Sequence, residues 1–104
     1  KIIYSIPDIK VHSKIALVKK RKGLEDVSYG ILSTGNFNEI TAQFYPDHVL
    51  LTTDPLIVKE MISLFKFLQK KDKTPENNKL KFDKLLVSQF NLNTRLEKDI
   101  DNEI

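Results

Sequence analysis

A chain of 104 residues with 40% hydrophobic content suffices for one small domain, or part of a larger one, with a modest core. A formal net charge of +3 and a sequence pI of about 9.1 suit anionic partners in general. They fall short of the concentrated basic surface that nucleic acid demands, and no nucleic-acid partner is expected. Cysteine is absent, which excludes a disulfide framework, a zinc–thiolate site and a thiol nucleophile.

No apolar run is long enough for a membrane span and nothing resembles a signal peptide, so a soluble, cytoplasmic location is expected, at most peripheral to the inner membrane face. The chain starts at Lys1, without an initiator Met and directly on a strand-like run. The expectation is a single piece, residues 1–104, of a longer protein.

In chain order, Lys1 to Ile6 is β-branched and aromatic and stops at Pro7, which predicts a short strand. Lys10 to Lys20 predicts a second. Its alternation sets His12, Lys14, Ala16 and Val18 on one face and Val11, Ser13, Ile15 and Leu17 on the other. Both faces turn apolar from Ile15, the pattern of a strand buried on both sides with a polar opening end. Lys19 to Asp26 reads as a charged turn around Gly23 leading to a partner strand, Val27 to Leu32.

Ser33 to Asn38 is a loop of small hydrogen-bonding residues around Gly35; Thr41 to Asp47 is a short helical or irregular segment, and His48 to Thr53 another strand. Asp54-Pro55 predicts a helix start, Asp as N-cap and Pro in the first turn. Ile57, Met61, Leu64, Phe65 and Leu68 form one apolar stripe, ending near Lys70 with Lys66 and Lys71 at the negative dipole end. Asp72 to Lys81 reads as a loop and Lys84 to Val87 as a short strand. Leu92, Leu96, Ile100 and Ile104 recur every four residues and predict a last helix with a narrow apolar seam. The fold class is α/β, a mixed sheet with packed helices.

Chemistry concentrates in few places. Of the two histidines, His12 has Lys14 as same-face neighbour at the polar mouth of its strand. Imidazole can attack phosphorus and an adjacent ammonium can hold the transferring oxygens, although a lone histidine more often serves structure. His48 lies in an apolar strand run, where packing is the expected role. Ser33-Thr34-Gly35-Asn36 could cradle an anion or simply make a turn. Tyr45, in Tyr45-Pro46-Asp47, could stack on a base or pack. The Lys19-Lys20-Arg21-Lys22 run reads as a solvated hairpin turn, and the acidic residues of the last helix as its exposed side. No His/Glu/Asp set has metal-ligand spacing.

In order, Ile3-Tyr4-Ser5-Ile6-Pro7, Lys10-Val11-His12-Ser13-Lys14, Ser33-Thr34-Gly35-Asn36-Phe37-Asn38-Glu39, Thr41-Ala42, Phe44-Tyr45-Pro46-Asp47, Leu50-Leu51-Thr52-Thr53-Asp54, Phe82-Asp83, Leu85-Leu86-Val87-Ser88 and Asp101-Asn102-Glu103-Ile104 resemble the first C-terminal catalytic domain of the polyphosphate kinase family, over essentially the whole chain. The resemblance implies a phospholipase D-like half-site fold and reversible transfer of the ATP γ-phosphate to inorganic polyphosphate through a phosphohistidine. His12 matches the phosphorylated histidine. Lys14 and Asn36 match the residues that position phosphoryl oxygens. Tyr45 matches the tyrosine at the nucleotide base, and Thr34 and Gly35 lie in the nucleotide-binding loop.

The resemblance also implies Mg²⁺, with ligands outside these residues, ATP or ADP and polyphosphate as partners, a homo-oligomeric parent, and inactivity of this piece alone. The metal-associated arginines would precede Lys1, and a second catalytic histidine would follow Ile104. Ser33, Ile31 and Gln43 depart from the family's usual Gly, polar residue and Arg. A phospholipase D-like phosphodiesterase is the first alternative, but it wants an Asp five residues after the Lys, where Lys19 stands. The second is a non-enzymatic polyanion-binding module, which wants basic residues interleaved with surface aromatics.

Overall fold

A computed structural model describes residues 2–4, 9–74 and 76–104. Strands β1 (Lys14–Lys22), β2 (Glu25–Ser33) and β3 (Val49–Thr52) form one sheet in the order β1-β2-β3, antiparallel throughout, and helices α1 (Pro55–Leu68) and α2 (Leu92–Asp101) follow. A 3-10 turn, Thr41–Gln43, interrupts the connection between β2 and β3. The α/β composition holds, whereas the sheet among the described residues is antiparallel and not mixed.

The reason lies in where backbone donors go. A parallel strand after α1 would have to come from Lys84 to Val87, which carries no strand. The N–H groups of Asp83, Lys84 and Leu85 donate instead to the Glu60 carboxylate of α1, at 2.7 to 3.1 Å. Asn91 takes the rest: its Oδ1 accepts from Val87 N at 2.8 Å and its Nδ2 donates to the Phe82 and Leu85 carbonyls at 2.8 and 2.9 Å. With the N–H groups of Lys84, Leu85 and Val87 taken by side chains, the segment has no ladder to offer a sheet.

The β1–β2 hairpin is longer than its charge pattern suggests. Strand pairing runs from Lys14↔Ser33 to Lys22↔Glu25, so the basic run lies in β1 and the turn shrinks to Gly23-Leu24. Gly23 takes φ 67° at the first central position, where a side chain would be strained. Opposite charges then face each other across the ladder, with Arg21 Nε 3.6 Å from Asp26. Both side chains are exposed, so this pair contributes little, about 0–1 kcal/mol.

α1 covers only one face of the sheet. Gly30 of β2 lies under Met61, and a Cβ there would come 2.6 Å from Met61 Sδ. Leu17, on the same face as Gly30 by register, lies beside Ile62 and Phe65 of the helix, and Met61 is wholly buried. On the other face Val18, Tyr29, Val49 and Leu51 are 40–71% exposed. β1 is therefore an edge strand covered on one side, not a strand buried on both.

α1 begins as the sequence dictates, with Asp54 Oδ1 accepting from Leu56 N and Ile57 N at 2.9 and 3.0 Å and Pro55 in the first turn. Its buried residues, Val58, Met61 and Phe67, are not one stripe. Glu60 and Phe67, seven apart, share a second face. There Phe67 meets Phe90 edge-on at 5.2 Å, and Phe90 meets Phe82 at 5.4 Å. α1 is thus sandwiched between the sheet and residues 82–91.

Asn78, the buried polar residue among the described residues, is satisfied by Lys70 and the Asp72 and Thr74 carbonyls, which folds the loop after α1 back on the helix end. α2 buries none of its residues, and Leu96 and Ile100 stay exposed. The strand expected over Lys1–Ile6 lies partly outside the described residues; Ile2–Tyr4 carry no regular structure, and the Tyr4 carbonyl accepts from the Lys73 ammonium.

Candidate functional site

Antiparallel pairing gathers one end of each strand. Lys14 opens β1 opposite Ser33, which closes β2, and Ser33 is also opposite Val49, which opens β3. The segments leaving this end carry His12 before β1, Thr34, Gly35 and Asn36 after β2, and Tyr45, Asp47 and His48 before β3. Nearly all the candidate chemistry of the chain therefore sits at one end of the sheet.

His12 lies outside the strand assigned to it by alternation, on an exposed stretch two residues before β1. Lys14 Nζ lies 3.1 Å from Nδ1 and 3.1 Å from Nε2 of His12, and donates to the His12 carbonyl at 2.7 Å. The ammonium can donate to whichever ring nitrogen is unprotonated, so its position selects neither tautomer. The pair is held by its own contacts and not by a pleat.

Thr34 stitches the loop after β2 to the chain before β3. Its N–H donates to the His48 carbonyl at 3.0 Å, its Oγ1 accepts from His48 N at 3.0 Å, and the same hydroxyl donates to Asp47 Oδ1 at 3.2 Å. Gly35 N donates to Ser33 Oγ at 3.1 Å, tightening the turn. Asn36 is exposed and its carbonyl accepts from Asn38 N at 2.8 Å. Among the described residues no hydrogen bond joins the Asn36 side chain to His12 or Lys14. Pairing brings the segments that carry them to the same end of the sheet without such a bond.

Asn38 caps the next turn, its Oδ1 accepting from Ile40 N and Thr41 N at 3.0 Å each. The turn ends at Tyr45, which is 67% exposed and free to present its ring. His48 is exposed just before β3, not packed within a strand as its apolar neighbours suggest. With Leu32, Ser33, Thr34, Val49 and Leu50 it lines an open groove over the ends of β2 and β3. Asp47 is the residue whose part the sequence did not disclose. It stands in the Tyr-Pro-Asp motif, but only the contact with Thr34 shows what its carboxylate does.

Among the described residues no group of three or more His, Asp or Glu could hold a metal ion, and no helix is long and apolar enough to cross a membrane.

Residues 1–74 match the family described as polyphosphate kinase C-terminal domain 1. Over 103 residues, 99% of the chain, it is 40% identical to a polyphosphate kinase of Staphylococcus haemolyticus, 37% to one of Escherichia coli K12 and 36% to one of Vibrio parahaemolyticus. In each case it spans 14% of the relative's length. A sheet end that collects His12, Lys14 and the Thr-Gly-Asn loop, together with these matches, leads to one conclusion: the chain belongs to the polyphosphate kinase family, as its first C-terminal domain.

Proposed function

We propose that this domain supplies the phospho-acceptor half of a polyphosphate kinase site, in which His12 carries the γ-phosphoryl group of ATP to the end of a polyphosphate chain. The observation that carries the reading is the Lys14 ammonium at 3.1 Å from the His12 ring nitrogens, in a chain of this family. A ring nitrogen of neutral His12 attacks the γ-phosphorus while the bond to the β,γ-bridging oxygen breaks and ADP leaves. A terminal polyphosphate oxygen then attacks the same phosphorus and frees the imidazole.

An ammonium on the imidazole lone pair blocks attack, so Lys14 must turn from the ring to the incoming phosphoryl oxygens. There it offsets charge spread over the transferring group. Thr34, Gly35 and Asn36 face the phosphates from the loop after β2, and Tyr45 stacks on the nucleotide base. A phospholipase D-like half-site, the arrangement the motifs resemble, needs Asn36 to close on His12 when phosphate is bound. No step is assigned to Mg²⁺ within these residues. Cytoplasmic ATP and polyphosphate are the substrates, and the isolated 104 residues make no polyphosphate.

The test uses the full-length chain carrying these residues. Incubation with γ-labelled ATP yields an acid-labile, base-stable protein adduct, and His12→Ala abolishes it. Label surviving in that variant would sink the assignment.

A further inference from the structure

Three hydrogen bonds converge on Thr34, and two of them end on the backbone of His48 while the third ends on the side chain of Asp47. Gly35, the next residue, has no room for a side chain, because an ideal Cβ would fall inside the Asp47 carboxylate. That carboxylate therefore does two things at once: one oxygen holds the Thr34 hydroxyl and the other fills the space above Gly35. Among the described residues it makes no ion pair, so its charge is not matched by a cation. A bare carboxylate aimed at phosphate oxygens would repel them. Here it is turned into the loop, against Thr34 Oγ1 and Gly35.

We infer that Asp47 is a positioning residue: it sets the Thr34-Gly35-Asn36 loop against the segment that carries Tyr45, so that the phosphate-facing and base-facing parts of the site keep one spacing. The inference rests on the phosphoryl-transfer reading above. Asp47 touches no substrate in it and acts only through Thr34 and Gly35. Its job depends on shape and on one acceptor oxygen, not on charge. Loss of the contact would let the loop drift by a fraction of a van der Waals radius, enough to lower the rate of transfer while the nucleotide still finds Tyr45.

The experiment measures polyphosphate synthesis by the full-length chain, with kcat and the KM for ATP separated. Asp47→Ala and Thr34→Val are each expected to lower kcat about 10-fold with the KM for ATP within about twofold of the parent. Asp47→Asn, isosteric and still an acceptor at Oδ1, is expected to stay within about threefold of it. Gly35→Ala is expected to fall at least as far as Asp47→Ala. The double variant Gly35→Ala/Asp47→Ala is expected to be no worse than Asp47→Ala alone, because the carboxylate that the new methyl strikes is gone.

The inference is overturned if Asp47→Asn is as impaired as Asp47→Ala, since the charge would then be doing chemistry. It is equally overturned if the two single losses multiply in the double variant, or if kcat and thermal stability fall while the KM for ATP rises in step. Label surviving in His12→Ala would defeat the phosphohistidine reading and leave these comparisons standing, because they are read on product whatever the acceptor. Should the parent chain make no polyphosphate, amide exchange decides: Thr34→Val must speed exchange at His48 N–H about 10-fold or more, and unchanged exchange overturns the clamp itself.

Discussion

Lys14 Nζ stands 3.1 Å from each ring nitrogen of His12 and 2.7 Å from the carbonyl oxygen of the same residue. Since the strand begins only at Lys14, these contacts, and no sheet pairing, hold the imidazole beside the sheet. In the phosphoryl-transfer reading proposed above, the same ammonium is the donor to the transferring oxygens.

Lys14→Met should therefore slow formation of the labelled protein adduct about 10²- to 10³-fold in the full-length chain, the range for removal of one donor from developing charge. Lys14→Arg keeps the charge but not the reach or the point geometry and should recover part of the rate. Rapid-quench measurement of label at saturating ATP checks both. An unimpaired Lys14→Met would remove Lys14 from the mechanism.

Glu60 gives the fold a pH dependence with a definite sign. Burial by itself raises its carboxyl, but the N–H groups of Leu85, Asp83 and Lys84, with the Lys84 charge, outweigh that and hold it below the ordinary value of 4.5. A carboxyl lowered on folding contributes stability that is present above the unfolded value and is lost as pH falls through the folded one. Protection of the 83–85 amides, corrected for intrinsic exchange, should therefore hold near neutrality and decline below about pH 4.5. Glu60→Gln should weaken it at neutral pH, by about 1–3 kcal/mol for the charge-assisted bonds lost, and flatten the decline. Equal pH profiles for the two proteins would refute this account of the segment.

Two glycines should respond differently to alanine. Gly30→Ala drives a methyl to 2.6 Å from Sδ of fully buried Met61, an overpacking that should cost about 1–3 kcal/mol. Shortening Met61 to Val in the same chain should relieve part of it. Gly23→Ala meets nothing within 4 Å, so its cost is backbone strain alone at φ 67°, about 1 kcal/mol, and Gly23→Asn should nearly remove it. Amide-exchange protection of β2 reads out both. Additive effects of Gly30→Ala and Met61→Val would show that the two side chains do not meet.

Local chemistry made several features legible without coordinates. Asp54-Pro55 announced the start of α1 because an N-cap and a first-turn proline act within four residues. The alternation after Lys14, the turn at Gly23 and the small-residue loop at Ser33 to Asn38 located the hairpin and the loop. The ordered motifs carried family membership and the candidate site with it. What failed were inferences that needed a partner element. Apolar residues on both faces of β1 implied two covers, but only α1 is present among the described residues. Lys84 to Val87 has strand composition, yet its backbone donors are taken by Glu60 and Asn91, side chains whose targets no periodicity reveals.

Residue types and their spacing along the chain thus determined the chemistry on offer: a histidine with a lysine two residues on, a Thr-Gly-Asn loop, and a tyrosine in a Tyr-Pro-Asp turn. Only tertiary structure decided how these meet. The register that sets Lys14 against Ser33 and Ser33 against Val49 brings His12 and that loop to one sheet end. The clash-free fit of Gly35 against Asp47 depends on contacts across 12 residues of chain. Such contacts are fixed by packing and directional hydrogen bonds in three dimensions, which a local pattern cannot encode.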